Sequence, residues 1–178
     1  ELTYNGTAQK PTATVSNLEG SDACTVTVTV EGDHTNASTT AYTATATALS
    51  NVNYKLPTTL PTHTFTISQK EVTISWNNTE LTYNGTAQKP TATVSNLVGT
   101  DACIVTVEGE QTNESSYAYT ATATELSNAN YKLPTTPTQT FTIGKAALTI
   151  TADAKSKTYG DTDPAFTYTS SGLVGTDA

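Results

Sequence analysis

The sequence predicts an all-β chain of small tandem modules, about five strands each, arranged as a rod. Three observations carry that reading. Residues Glu1–Leu18, ELTYNGTAQKPTATVSNL, recur letter for letter as Glu80–Leu97, and a third copy opens at Lys157 as KTYGDTDPAFTYTSSGLVGTDA. Apolar and polar residues alternate with period two, and helical spacing is nearly absent. Threonine makes up about a quarter of the chain, far above its share of an ordinary globular protein. On the outer face of a half-solvated strand, a β-branched Thr packs well on the pleat without needing burial.

The elements of copy two follow in order. Val72, Ile74 and Trp76 alternate with Thr73 and Ser75, which marks a first strand. Asn84–Gly85 after Tyr83 is a tight-turn signal. The next strand is Ala87–Val94, where Pro90 removes a ladder donor and so calls for an edge position or a bulge. Val98–Ala102 reads as a loop, with a short helical turn near Asn96–Asp101. Cys103, Val105 and Val107 alternate with Thr106, although Ile104 breaks the pattern. After a loop at Glu108–Ser116, Tyr117, Tyr119, Ala121 and Ala123 face opposite Thr120, Thr122 and Thr124. Ser127–Thr136 is a crossover with a fixed turn at Leu133–Pro134, and Phe141 and Ile143 mark the last strand. A β-grasp-like packing and an Ig-like sandwich both satisfy this order.

Module boundaries follow from the strand that precedes the turn. KEVTISWNNTELTYNG in copy two and KAALTITADAKSKTYG in copy three both supply it, whereas copy one starts directly at ELTYNG. The expected division is therefore 1–69, a module lacking its first strand; 70–144, a complete module; and 145–178, the first part of a third. Connections at Ser68–Lys70 and Gly144–Lys145 leave almost no linker, which favours a stiff array. The offset ends make neighbouring modules, of the same or another chain, the expected partners. Lys145–Lys157 is the segment expected to be lent as a first strand to another chain's copy one.

Composition excludes several function classes. Net charge is −8 with no basic cluster, so neither nucleic acid nor an anionic membrane surface is an expected partner. No apolar run approaches the roughly 20 residues that span a bilayer. Cys24 and Cys103 occupy equivalent positions in adjacent copies, and a disulfide needs Cα atoms within about 7 Å, so both are read as small core hydrophobes.

Residues with catalytic or ligating chemistry are scattered. His34 and His63 are replaced by Gln111 and Gln139 in the next copy, so no metal or general-base role is assigned to them. Asp161 and Asp163 lie close together, but a calcium site needs about six oxygen ligands and no DxDxDG run is present. Lys10/Lys89, Lys55/Lys132 and Gln9/Gln88 are ingredients for an internal amide or ester crosslink, without a visible catalytic carboxylate. Sequons occur at Asn5, Asn36, Asn77, Asn84 and Asn113, of which Asn5 and Asn84 are better explained as turn residues. Tyr42/Tyr119 and Tyr54/Tyr131 are read as core and anchor residues. No catalytic, cofactor-binding or metal-binding residues are assigned, and the chain is not expected to be an enzyme.

The assembled pattern of a YNG or TYG turn, GTDA, YTATAT, LSNxNYKLP and a terminal TFTI resembles the MBG/YDG-type repeats of bacterial surface adhesins. Lys157–Asp177, KTYGDTDPAFTYTSSGLVGTD, is closest to the YGx form, whereas copies one and two carry YNGTAQKPT where copy three has YGDTDPAFT. The resemblance implies an extracellular, β-rich array at the bacterial cell surface and carries no catalytic residues. Two functions fit it. One is a structural stalk or spacer of an adhesin or fibre. The other is an adhesive module recognising glycan or protein through Glu108–Ser116, Val98–Ala102 and Glu31–Thr40.

Overall fold

The structure is a computed structural model that describes residues 1–177. The described residues form strands and turns, with no helix. Copy one contributes β1 (Leu2–Thr3), β2 (Val26–Val30), β3 (Ser38–Leu49) and β4 (Thr62–Ser68). Copy two contributes β5 (Lys70–Glu71), β6 (Thr73–Asn77), β7 (Glu80–Thr82), β8 (Thr91–Ser95), β9 (Val105–Glu108), β10 (Tyr119–Leu126), β11 (Tyr131–Lys132) and β12 (Thr138–Gly144). Copy three contributes β13 (Thr149–Ala152) and β14 (Tyr168–Ser171). The all-β expectation holds. The five strands predicted for copy two are β6, β8, β9, β10 and β12, while β5, β7 and β11 are too short to show alternation.

The chain folds as two compact units, and the division runs through copy two. One unit comprises Glu1–Ser75, Thr93–Val105 and Glu125–Thr136; the other comprises Trp76–Ala92, Thr106–Thr124 and Pro137–Ala178. In the first, a four-stranded sheet has the order β1-β4-β3-β2. Strand β1 runs parallel to β4, with Leu2 opposite Ile67, and β3 is antiparallel to both β2 and β4. Tyr4, Ile67, Val72 and Tyr131 form the core of this unit.

The second unit repeats the arrangement with the order β7-β12-β10-β9. Strand β7 is parallel to β12, and β10 is antiparallel to it with Tyr119 opposite Phe141. The period of two explains its core directly, since Phe141 and Ile143 are buried while Thr140 and Thr142 face out. Trp76 of β6 and Ala92 of β8, strands that pair with each other, pack against Val107, Ala121, Phe141 and Ile143 of the larger sheet. Two facing layers with side chains meeting between them make the module a sandwich, which resolves the two packings left open by the strand order. A recurring tie at the start of the long strand supports it. Tyr119 Oη donates to Asn113 O at 3.0 Å, and Tyr42 Oη donates to Asn36 O at 3.1 Å, the corner tie that sandwich domains use at this strand.

Local expectations are refined at three places. The segment Asn96–Asp101 is not helical: Asn96 takes a positive φ of 68°, and the loop closes by a bond from Asp101 N–H to Val98 O at 2.9 Å. The predicted strand Ala87–Val94 begins only at Thr91, because Pro90 has no N–H to offer, and Gln88 pairs separately with Gln111. Ile104, which broke the alternation, points outward and is 74% exposed.

One pentapeptide behaves differently in its two copies. TATVS forms β8 at Thr91–Ser95, yet the identical Thr12–Ser16 is not a strand. In copy two this segment pairs with β6, whereas among the described residues Thr12–Ser16 has no such partner. Extended backbone without a ladder partner is not held in register, so the same letters give a different state.

Candidate functional site

Polar side chains converge where successive copies meet. Strand β1 ends at Thr3, and Tyr4 is held there by its N–H, which donates to Ser68 O at 2.9 Å. The chain then turns through Gly6 at a φ of +77°, and a Cβ at that position would lie 2.7 Å from Val98 Cγ1. Only glycine satisfies both the left-handed backbone and the close approach of the next copy. From this platform Tyr4 Oη donates to Asp101 Oδ2 at 2.8 Å, in the Val98–Ala102 loop of copy two.

The acceptor is built from copy two. Tyr131 of β11 donates its hydroxyl to the same Asp101 oxygen at 2.7 Å, and that hydroxyl accepts from Val98 N–H at 2.7 Å. The rings of Tyr4 and Tyr131 meet edge to face, with centroids 5.5 Å apart. Beside them, Asn130 accepts from Ala37 N–H at 2.9 Å and donates to Asn36 Oδ1 at 3.0 Å. Copy one therefore meets copy two through a carboxylate holding two phenols and an amide that engages one backbone N–H and one side-chain oxygen.

The electrostatics follow from this geometry. Burial, and then the bond to Asp101, push the Tyr131 phenol up to about 12. The bond to Asp101, followed by burial, raises Tyr4 above its ordinary value. Asp101 is held below the usual carboxylate range by the hydrogen bond from Tyr131 and then by that from Tyr4. At neutral pH the cluster is one anion stabilised by two neutral donors, an arrangement suited to holding two surfaces together. Neither phenol is poised to act as a base.

The joint recurs between copies two and three. Tyr83 N–H donates to Gly144 O at 2.9 Å, and Gly85, again at a φ of +77°, would place a Cβ 2.9 Å from Val174 Cγ1. A hydrogen bond to Asp177 raises the Tyr83 phenol, as Asp101 raises Tyr4. Next to it lies a groove of about 420 Å³ bordered by Tyr83, Asn113, Glu114, Leu173, Val174 and Asp177. In the first joint Asn130 and Tyr131 stand in the corresponding place.

The residues singled out from sequence are not brought together. His34 makes a local contact to Gly32 O at 3.0 Å, and His63 lies exposed on β4. Among the described residues no three His, Cys, Asp or Glu side chains converge in a way that could hold a metal ion. Lys157 takes up Asp163 in an ion pair. Lys10 and Lys89 donate to the carbonyls of Val28 and Val107, both at 2.7 Å, and Lys89 also pairs with Glu110. Among the described residues neither lysine is hydrogen-bonded to an Asn or Asp side chain. Cys103 packs against the first unit's core, as read from its parity, and both cysteines are free thiols. Asn5 and Asn84 accept from the N–H groups of Thr7 and Thr86, both at 3.0 Å, which confirms them as turn residues.

The joint itself was missed. The signal was nevertheless present: a Tyr in the turn and an Asp in the GTDA or GSDA loop occur in every copy. Comparison with curated proteins and with solved structures gives no match. Residues 148–178, the stretch that contains the Lys157–Asp177 resemblance, match the family model of the MBG domain, YGX type.

Proposed function

We propose that this chain is a structural spacer segment of an extracellular bacterial surface adhesin or fibre, without enzymatic activity. The observation that carries the reading is the repeated joint, in which Tyr4 and Tyr83 are tied to the preceding strand at Ser68 and Gly144 and Gly6 and Gly85 turn closely against Val98 and Val174. The MBG match of residues 148–178 supports an extracellular repeat-type module.

The joints also bear on the adhesive alternative. Val98–Ala102 carries the Asp101 acceptor, Glu31–Thr40 contributes Asn36 and Ala37, and Glu108–Ser116 contributes Asn113 and Glu114 to the groove beside Tyr83. Each loop suited to recognition thus has residues engaged in, or bordering, a joint, which favours a spacer over a ligand binder. A glycan array and a host-protein pull-down with the 178-residue chain test this directly. No saturable binding is the expected result, and a saturable ligand whose binding is lost when Glu108–Ser116 is altered would replace the spacer by the adhesive module.

A further inference from the structure

In copies one and two the last long strand is paired in parallel with a short strand from earlier in the same copy. In copy two, β12 lies parallel to β7, with Thr142 opposite Glu80, Ile143 opposite Leu81 and Gly144 opposite Thr82. Bonds from Thr142 N–H to Thr79 O at 3.0 Å and from Tyr83 N–H to Gly144 O at 2.9 Å close the pairing at its two ends. Copy one repeats it, with Leu2 opposite Ile67, Thr3 opposite Ser68, and Tyr4 N–H on Ser68 O. Where the chain enters copy two, β5 is also paired in parallel, with Lys70 opposite Tyr131 and Glu71 opposite Lys132.

Two further features hold the short strand in place. On its inner face Leu81 packs against the cluster that contains the fully buried Ile143, and Leu2 packs likewise against the cluster of Ile67. On its outer edge a glutamine takes up the free carbonyl: Gln88 Nε2 donates to Thr82 O and Gln9 Nε2 to Thr3 O, both at 3.0 Å. A strand of two or three residues is thus fixed by its ladder, its apolar side chain and a side-chain tie.

We propose that these parallel pairs are shear clamps through which the chain carries mechanical tension, a function that rests on the spacer reading and deepens it. Tension along the chain draws β7 toward its N-terminal end and β12 toward its C-terminal end. In a parallel pair those two pulls oppose each other along the strand axis, so the evenly spaced bonds between the strands are all stretched together. Had the two strands been antiparallel, the same tension would peel them apart one bond at a time. The clamp therefore acts on the rate of forced unfolding, which follows the unfolding barrier, more than on equilibrium stability. Burial of Ile143 against Leu81 keeps water from the inner face of the stretched bonds.

Single-molecule stretching of the 178-residue chain in two directions tests the proposal, with Cys24→Ala and Cys103→Ala so that handles attach only where intended. Held by its two ends, the chain should yield at each clamp in a step of about 20 nm, since each encloses roughly 60 residues at about 3.5 Å apiece. Held instead at Thr122→Cys and Thr138→Cys, which lie opposite each other on the antiparallel β10–β12 ladder, copy two should open bond by bond. The force needed should then be about half the end-to-end value or less, because the bonds no longer share it. Leu81→Ala, which thins the apolar cover of the clamp, should lower the end-to-end force and leave the ladder force nearly unchanged. Equal forces in the two directions would overturn the proposal, and so would a Leu81→Ala loss of the same size in both. The comparison of directions leaves β7 intact, so it decides the matter even if Leu81→Ala does not fold. A clamp that fails this test leaves the spacer reading standing, since that reading falls only to a saturable ligand.

Discussion

Tyr4 and Tyr131 meet at an interplanar angle of 80° and end on the same oxygen of Asp101. One ring belongs to copy one and the other to copy two, so a single carboxylate registers one module against the next.

The two hydroxyls are expected to be unequal. Tyr4→Phe removes one bond to Asp101, whereas Tyr131→Phe also leaves the Val98 N–H without its acceptor. Thermal unfolding should show the larger fall for Tyr131→Phe. A double-mutant cycle between Tyr4→Phe and Asp101→Asn should be clearly non-additive. Additive losses would mean that the phenol and the carboxylate are not coupled.

The joint should be insensitive to pH across the neutral range and weaken at both ends. Asp101 titrates in the folded chain below its ordinary 3.8, so its contribution is present above about pH 4 and is lost as pH falls through the folded value. Tyr131 is raised from 10.0 to about 12, so its contribution is whole below pH 10 and is lost as pH rises toward 12. Denaturation midpoints against pH should show the acid limb flattened in Asp101→Asn and the alkaline limb flattened in Tyr131→Phe.

Glycine in the turn is required for two separable reasons. Gly99→Ala meets no atom within 4 Å and carries only the left-handed backbone penalty, about 1–2 kcal/mol. Gly85→Ala carries that penalty and also drives a methyl against Val174 Cγ1. Chemical denaturation should therefore rank Gly85→Ala as the more damaging, and equal losses would remove Val174 from the joint.

The equivalent core phenylalanines should differ because they are buried to different extents. Phe141 is 2% exposed and its cluster is covered by Trp76, so Phe141→Ala should cost about 3–5 kcal/mol. Phe65 is half-buried, and Phe65→Ala should cost distinctly less. Denaturant midpoints of the two variants make the comparison.

The strands of copy two were legible because Val72, Ile74 and Trp76, or Phe141 and Ile143, write their period into the sequence. Glu80–Thr82 was not, since three residues show no period and its parallel partner, Thr142–Gly144, lies more than sixty positions away. Sandwich packing was open for the same reason: the packing of Trp76 on the cluster that holds Phe141 is a long-range fact. The joint was hidden differently. Tyr4, Asp101 and Tyr131 lie far apart in the chain, and each has a sufficient local explanation as a turn, loop or anchor residue. Only the recurrence of the turn Tyr and the loop Asp in each copy carried the signal.

The placement of the joint bears on how such a chain can change length. Tyr4 and Tyr83 sit at the same point of identical segments, so excising Asn5–Tyr83 would join Tyr4 directly to Asn84 and place it opposite Asp177. Every remaining contact would be one the chain already makes. Unequal crossing-over between copies of the underlying gene would then add or remove whole modules without creating an unmatched seam, so that copy number can change while every joint stays the same.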